Sequence, residues 1–353
     1  MSNKPQTLVI FTPAFPKDED DSIWLPWLQL LVKALNKNYP FFKIVIFSFQ
    51  SPKSNTAYMW HNNLVIPFNG MHKKKLPRFL MWVNILRKLA AIRRRHNVIG
   101  IFSMWCHECA LVAKYAANIF SLKHYCWLLG QDARKTNAAY IKKIKPLATE
   151  LVASSDFLQE EFYRNYHIKP AHVIPHGIDI SLFGPNFFIR DIDIIGVGGL
   201  SIIKQYDQFV EIVAELKSHF PSIKAMLCGD GEDKDRLQKM IEDVSLKNNI
   251  EITGVLQHTA ALRLMQRSKI LLHPSSYEGF GIVCIEALYA GAHVISFCKP
   301  LNAEIENWHI VKTKQEMFET ALHLLNDTHL ETKAVLVRSI NDTAKDVFEL
   351  FNK

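Results

Sequence analysis

The chain has 353 residues, of which 48% are apolar and 22% charged. That supplies about two domains with cores of their own, in the balance of an ordinary globular protein, and excludes a disordered or fibrous chain. No run reaches the ~20 apolar residues of a membrane span, and cysteines scattered at 106, 109, 126, 228, 284 and 298 read as reduced cytosolic thiols rather than a disulfide frame.

The residues before TLVIFT (7–12) are polar, so no secretory leader is expected. TLVIFT predicts the first strand, and a Pro-rich acidic loop, TPAFPKDEDD, leads into a helix at 22–38. FKIVIFSF (42–49), VIGIF (98–102), KHYCWLL (123–129) and ELVAS (150–154) predict further strands. Helices near 76–95, 107–120, 137–145 and 155–166 separate most of them. Such alternation argues a parallel sheet with helices on both faces. The net charge of +8 is placed unevenly: residues 72–96 hold nine Lys or Arg and no acid. Leu76, Phe79, Leu80, Val83, Leu86 and Leu89 recur there at helical spacing, which predicts a basic amphipathic helix. Two readings stay open for it, a solvated helix with one face on the core and attraction to anionic lipid or a lipid-diphosphate acceptor; with no recognition motif in sight, nucleic acid is not expected as a partner. Cys106-His107-Glu108-Cys109 has no second CxxC or spaced His pair to complete a metal set, and is expected to begin a helix packed on the sheet.

Pro175, Gly177, Gly184 and Pro185 break the periodicity, as a linker does. The strand–helix pattern then restarts with DIDIIGVG (191–198), a helix at 204–219, IKAMLCG (223–229), a helix at 232–244, IEIT (250–253), a helix at 259–267 and KILLH (269–273). The expected organisation is an N-terminal domain over 1–175, a linker over 176–190 and a second domain over 191–329. A last helical segment over 330–353 is expected to fold back on the first domain.

The chemistry concentrates after KILLH. Glu278 stands in the loop at a helix mouth, and Glu286 lies about two turns inside, on roughly the same face at ~3.6 residues per turn. Gly279 and Gly281 let a ligand approach the amides at the helix start, around Phe280, Ile282 and Val283. There the helix dipole favours an anion such as a phosphate. A buried helix, IVCIEALYA, has little reason to carry Glu286 unless something satisfies it. Gly196-x-Gly198-Gly199 follows a strand, but Ser201 takes the place of a third glycine and no acid ends the next strand, so the dinucleotide fingerprint is weak. Gly229-Asp230-Gly231 and Gly254-Val255 end the following strands.

HPSSYEGFGIVCIEALYAGAHVI (273–295) resembles the E-x7-E motif of retaining glycosyltransferases with the GT-B fold, glycosyltransferase family 4 in particular. HVIPHGID (172–179) is similar to that family's inter-domain VIP-x-G-x-D. The resemblance implies two Rossmann-like α/β domains facing each other across a cleft, the first on the acceptor side and the second holding the donor. It implies that Glu278 and Lys204 are catalytic. Donor contacts would come from Gly198, Gly199, Gly229, Asp230, Gly231, Gly254, Val255, Gly279, Phe280, Gly281, Ile282, Val283 and Glu286, with Glu286 on the ribose. GVGGLSIIKQYDQF (196–209) is similar to VGRLSPEKG: Lys204 matches the lysine, and Gly199 replaces an arginine. WLLGQDARKTN (127–137) is similar to the hGxD loop, which sets Gln131 and Asp132 toward substrate hydroxyls. Leu129 replaces a histidine there, and His107 is the substitute candidate. The implied reaction moves a sugar from a nucleotide-diphosphate donor to a saccharide or lipid-linked acceptor in cytoplasmic polysaccharide assembly, with no metal and no further cofactor. The competing readings are a sugar-nucleotide epimerase, a nicotinamide dehydrogenase and a non-catalytic nucleotide-sugar binder.

Overall fold

Gln6–Ala14 forms β1, and its residues from Thr7 to Thr12 are buried on both sides, as a central parallel strand requires. In this computed structural model residues 4–184 and 189–352 are described, so Pro185 of the expected linker lies outside them. The chain divides into two units: one takes everything up to His176 together with the segment from Ile340 onward, and the other is Gly177–Ser339.

In the first unit β1 is joined by β2 (Lys43–Ser51), β3 (Tyr58–Trp60), β4 (Asn63–Pro67), β5 (Asn97–Met104), β6 (Lys123–Leu128), β7 (Leu151–Ala153) and β8 (His172–Val173). They pair in the order β3-β4-β2-β1-β5-β6-β7-β8, parallel except for the β3–β4 hairpin. The helices are α1 (Pro26–Asn38), α2 (Lys75–Arg95), α3 (Glu108–Phe120), α4 (Ala138–Ile144) and α5 (Asp156–Tyr166). Val9 and Phe11 of β1, Val45 and Phe47 of β2 and Met81, Ile85 and Leu89 of α2 share one core.

The second unit repeats the scheme with β9 (Ile192–Val197), α6 (Tyr206–Lys217), β10 (Ala225–Cys228), α7 (Lys234–Asp243), β11 (Ile250–Gly254), α8 (His258–Gln266), β12 (Ser268–His273), α9 (Ile282–Tyr289), β13 (His293–Ser296), β14 (Trp308–Ile310) and α10 (Lys314–Asn326). Its parallel order is β11-β10-β9-β12-β13-β14. The order reverses at β9, which has β10 on one side and β12 on the other. Connections leave such a switch point in opposite directions and open a crevice at the carboxyl ends of the strands.

The last helix, α11 (Ile340–Asn352), starts ten residues later than the expected 330. Residues before it run extended along the second unit: Val335 N–H donates to the Leu288 carbonyl (3.0 Å), and Ile178 N–H to that of Arg338 (3.1 Å). The expected linker is likewise shorter, because the second unit begins at Gly177. α11 packs on the first unit, where Phe348 stacks on Tyr39 with ring centres 3.9 Å apart. Phe351 leaves no space for a side chain at Gly100, where a Cβ would stand 2.6 Å from its ring.

Candidate active site in the second unit

The loops after β9 and β10 meet backbone to backbone. A Cβ at Gly229, whose φ is 155°, would stand 1.9 Å from the Gly198 carbonyl oxygen, so only glycine fits. Gly198 N–H donates to the Cys228 carbonyl and Leu200 N–H to that of Asp230, both at 3.0 Å. Gly229 also bridges to Gly254 at the end of β11. Gly199, Asp230, Gly231 and Val255 are exposed along this rim. The Asp230 carboxylate is taken up locally by Gly231 N–H (2.8 Å) and Lys234 (3.1 Å).

Beyond Gly199 the chain makes a 3-10 turn, Ile202–Lys204, which aims Lys204 at the loop after β12. Lys204 Nζ donates to Glu278 Oε2 at 2.5 Å, and Ser276 N–H donates to the Ile203 carbonyl at 3.0 Å. His273, buried at the end of β12, lies with Nε2 3.2 Å from the same Glu278 oxygen. Burial works against ionising Glu278, but the His273 hydrogen bond and the Lys204 charge outweigh it and hold the carboxyl down at about 2. Burial lowers the His273 imidazole, so it is neutral at pH 7 and donates its Nε2–H; the Lys204 charge then balances the carboxylate. Its Nδ1 has no partner among the described residues. The Tyr206 hydroxyl, buried beside Gly198, has none either.

Gly281, at φ 76°, turns the chain into α9, whose first turn carries no acid. Cys284 N–H donates to the Gly281 carbonyl (2.9 Å), while no hydrogen-bond partner appears among the described residues for the amides of Ile282 and Val283. Gly279 and Phe280 are buried beneath them. The arrangement sets amides, a lysine and a carboxylate at one edge of the switch point, donors that could receive an anion with an acid beside it.

Glu286, two turns into α9, is satisfied by a residue the sequence reading missed. His258 Nε2 lies 2.6 Å from its Oε1, and the two side chains are 14% and 11% exposed. Burial pulls the imidazole down, but the hydrogen bond and charge of Glu286 outweigh this and raise it above its ordinary value. The signal was present: a histidine at the first position of α8, directly after Gly254-Val255-Leu256-Gln257. On the loop after β13, Cys298 Sγ donates to the Ser275 carbonyl (3.2 Å), and a cavity of about 400 Å³ follows, lined by Lys299, Leu301, Glu304 and Trp308.

In the first unit Asp132 has a different task from the hydroxyl contact expected of it. It is fully buried, and its oxygens accept from the amides of Cys106 (3.0 Å), Leu129 (3.1 Å) and Gly130 (2.9 Å), which clamp two loops together. Asn137 completes the clamp through the carbonyls of Cys106 and Asp132. Gln131 is exposed beside it. His107 lies over Tyr140 with ring centres 5.4 Å apart, and burial lowers its imidazole. Cys106 and Cys109 are buried thiols, and no three metal-ligating side chains come together among the described residues.

The chain is similar to known proteins in sequence and in fold. Residues 183–331 match the family model for glycosyl transferases group 1. The gpi3 subunit of phosphatidylinositol N-acetylglucosaminyltransferase from Schizosaccharomyces pombe is 30% identical over 241 residues, 65% of this chain and 53% of that protein. This chain therefore spans about half the length of that relative. N-acetylgalactosamine-N,N'-diacetylbacillosaminyl-diphospho-undecaprenol 4-alpha-N-acetylgalactosaminyltransferase from Campylobacter jejuni is 24% identical over 280 residues, 76% of this chain and 73% of that protein. A glycosyltransferase structure from Rickettsia africae superposes with a TM-score of 0.72 at 16% identity, covering 99% of this chain and 98% of that one. At that identity the likeness carries the fold, which is GT-B: two Rossmann-like parallel-sheet units. The second unit, matched almost from end to end, therefore carries a glycosyl transferases group 1 domain.

Proposed function

We propose that this protein is a metal-independent, retaining glycosyltransferase of family 4. It takes a sugar from a nucleotide-diphosphate donor to a lipid-linked or saccharide acceptor. The observation that carries this reading is the Lys204–Glu278 pair, set beside the Ile282 and Val283 amides at the β9 switch point. Lys204 and Glu278 pair with opposite charge. A bound donor splits them: Lys204 turns to the diphosphate, and Glu278 accepts from sugar hydroxyls beside the anomeric carbon.

As the bond from the anomeric carbon to the phosphate oxygen breaks, its electron pair stays on the diphosphate, where Lys204 and the amides meet it. The acceptor hydroxyl oxygen bonds to the anomeric carbon from the face the diphosphate leaves, and its proton passes to the phosphate oxygen. No protein base is then required. Gly199 stands where the resemblance places an arginine, which leaves Lys204 as the main cation for the leaving group. Glu286, held by His258, would take the donor ribose hydroxyls. The names of the two relatives support an N-acetylhexosamine donor and a lipid-borne acceptor. That setting is a cytoplasmic one, at the inner face of a membrane, in polysaccharide or lipid-linked glycan assembly.

The test is turnover of Glu278→Gln and Lys204→Ala with a panel of nucleotide sugars. Each loses one transition-state contact and should slow by on the order of 10²–10³. Unchanged turnover in both variants removes the proposed site.

A further inference from the structure

Helix α2 has two apolar faces, and only one is used by the fold. Met81, Ile85, Leu89 and Ile92 are buried against the sheet. Arg78 grips the buried Glu108 of α3 through Nε (2.5 Å) and Nη2, and Trp82 Nε1–H donates to the same carboxylate at 2.7 Å. These contacts fix the rotation of the helix. On the opposite side Leu76 is 65% exposed, Phe79 and Leu80 57% each and Val83 37%. At ~3.6 residues per turn these four fall with Arg87 and Arg94 in one sector roughly 100° wide. The outward stripe is thus apolar in its first half and basic in its second. Lys74, Lys75, Arg87, Lys88, Arg94 and Arg95 have no ion-pair partner among the described residues.

We propose that this stripe docks the protein on an anionic lipid bilayer. Leu76, Phe79, Leu80 and Val83 enter the acyl boundary, and the helix cations lie on the lipid phosphates. An amphipathic helix lying in the plane of a membrane carries this combination of apolar and basic side chains. Charge decides against a second copy of the chain as the occupant. Residues 72–96 contain no acid, so a like helix would bring arginines against arginines or against apolar side chains. An anionic bilayer supplies phosphates for the cations and hydrocarbon for the leucines at once. The inference rests on the geometry of α2 and not on the transfer reaction, so each can fail without the other.

The experiment is co-sedimentation of the full chain with phosphatidylcholine vesicles, with or without about one third phosphatidylglycerol. The wild type should pellet with the anionic vesicles, stay in solution with the neutral ones, and be released by high salt. Leu76→Ser/Phe79→Ser/Leu80→Ser/Val83→Ser and Arg87→Glu/Arg94→Glu should each weaken anionic-vesicle binding by about tenfold or more, with melting temperatures like the wild type. The arginine pair is exposed, so it carries the test even if the serine variant misfolds. Wild type that remains in solution with anionic vesicles overturns the proposal, as does undiminished binding by both variants. A dimer in sedimentation velocity that the serine variant abolishes, without vesicle binding, would assign the face to a second copy and overturn it too.

Discussion

Replacing His258 tests how Glu286 is held and separates charge from hydrogen bonding. In the wild type the His258 imidazole stands 2.6 Å from the Glu286 carboxyl, which is 11% exposed. The folded-state pKa of His258 is raised above its ordinary value of 6.5. Its contribution to stability is therefore complete below about 6.5 and is lost as pH rises through the folded pKa. His258→Gln keeps a hydrogen-bond donor and removes the charge. The wild type should exceed it in stability at pH 6, and the gap should close toward pH 9. His258→Ala also leaves the carboxylate without its donor, a cost of about 2 kcal/mol. In a unit of this size that lowers Tm by roughly 4–8 °C. The assay is thermal melting of the three proteins across this pH range, with titration of a donor nucleotide in parallel. A wild-type advantage over His258→Gln that is flat, or that grows with pH, refutes the ion pair.

Other substitutions probe the frame around the site. Gly229→Ala drives a Cβ into the Gly198 carbonyl oxygen at 1.9 Å. It should cost about 3 kcal/mol or more and abolish thermal protection by nucleotides, read by scanning fluorimetry. Asp132→Asn presents one acceptor oxygen where two now serve three amides. It should destabilise the first unit by about 2–4 kcal/mol in denaturant titration, and wild-type stability would show that the clamp is dispensable.

The alternation of strands and helices was legible because buried parallel strands are continuous apolar runs, as in TLVIFT and FKIVIFSF. The β3–β4 hairpin was not, since it is short and turns through His61-Asn62 with positive φ rather than through a glycine turn. Nor was the start of α11: the apolar run around Val335 and Val337 is extended and packs along the second unit beside Leu288. In α2 the expected apolar stripe mixes two faces. Leu89 faces the core while Leu76, Phe79, Leu80 and Val83 face out, and only tertiary contacts tell them apart.

At the site, the spacing of Glu278 and Glu286 could be read directly, whereas their partners could not. Lys204 meets Glu278 across 74 positions and His258 meets Glu286 across 28. Asp132 shows the converse difficulty. An aspartate two residues after a loop glycine looks like a ligand, and burial under three amides makes it a brace.

The proposed transfer reaction requires a diphosphate to bind between Lys204 and the first turn of α9. Its most direct test is calorimetric titration of wild type and Lys204→Ala with a nucleoside diphosphate and with the matching nucleoside. The variant should lose affinity for the diphosphate by about tenfold or more and bind the nucleoside as the wild type does. Equal affinity of both proteins for the diphosphate would contradict that requirement.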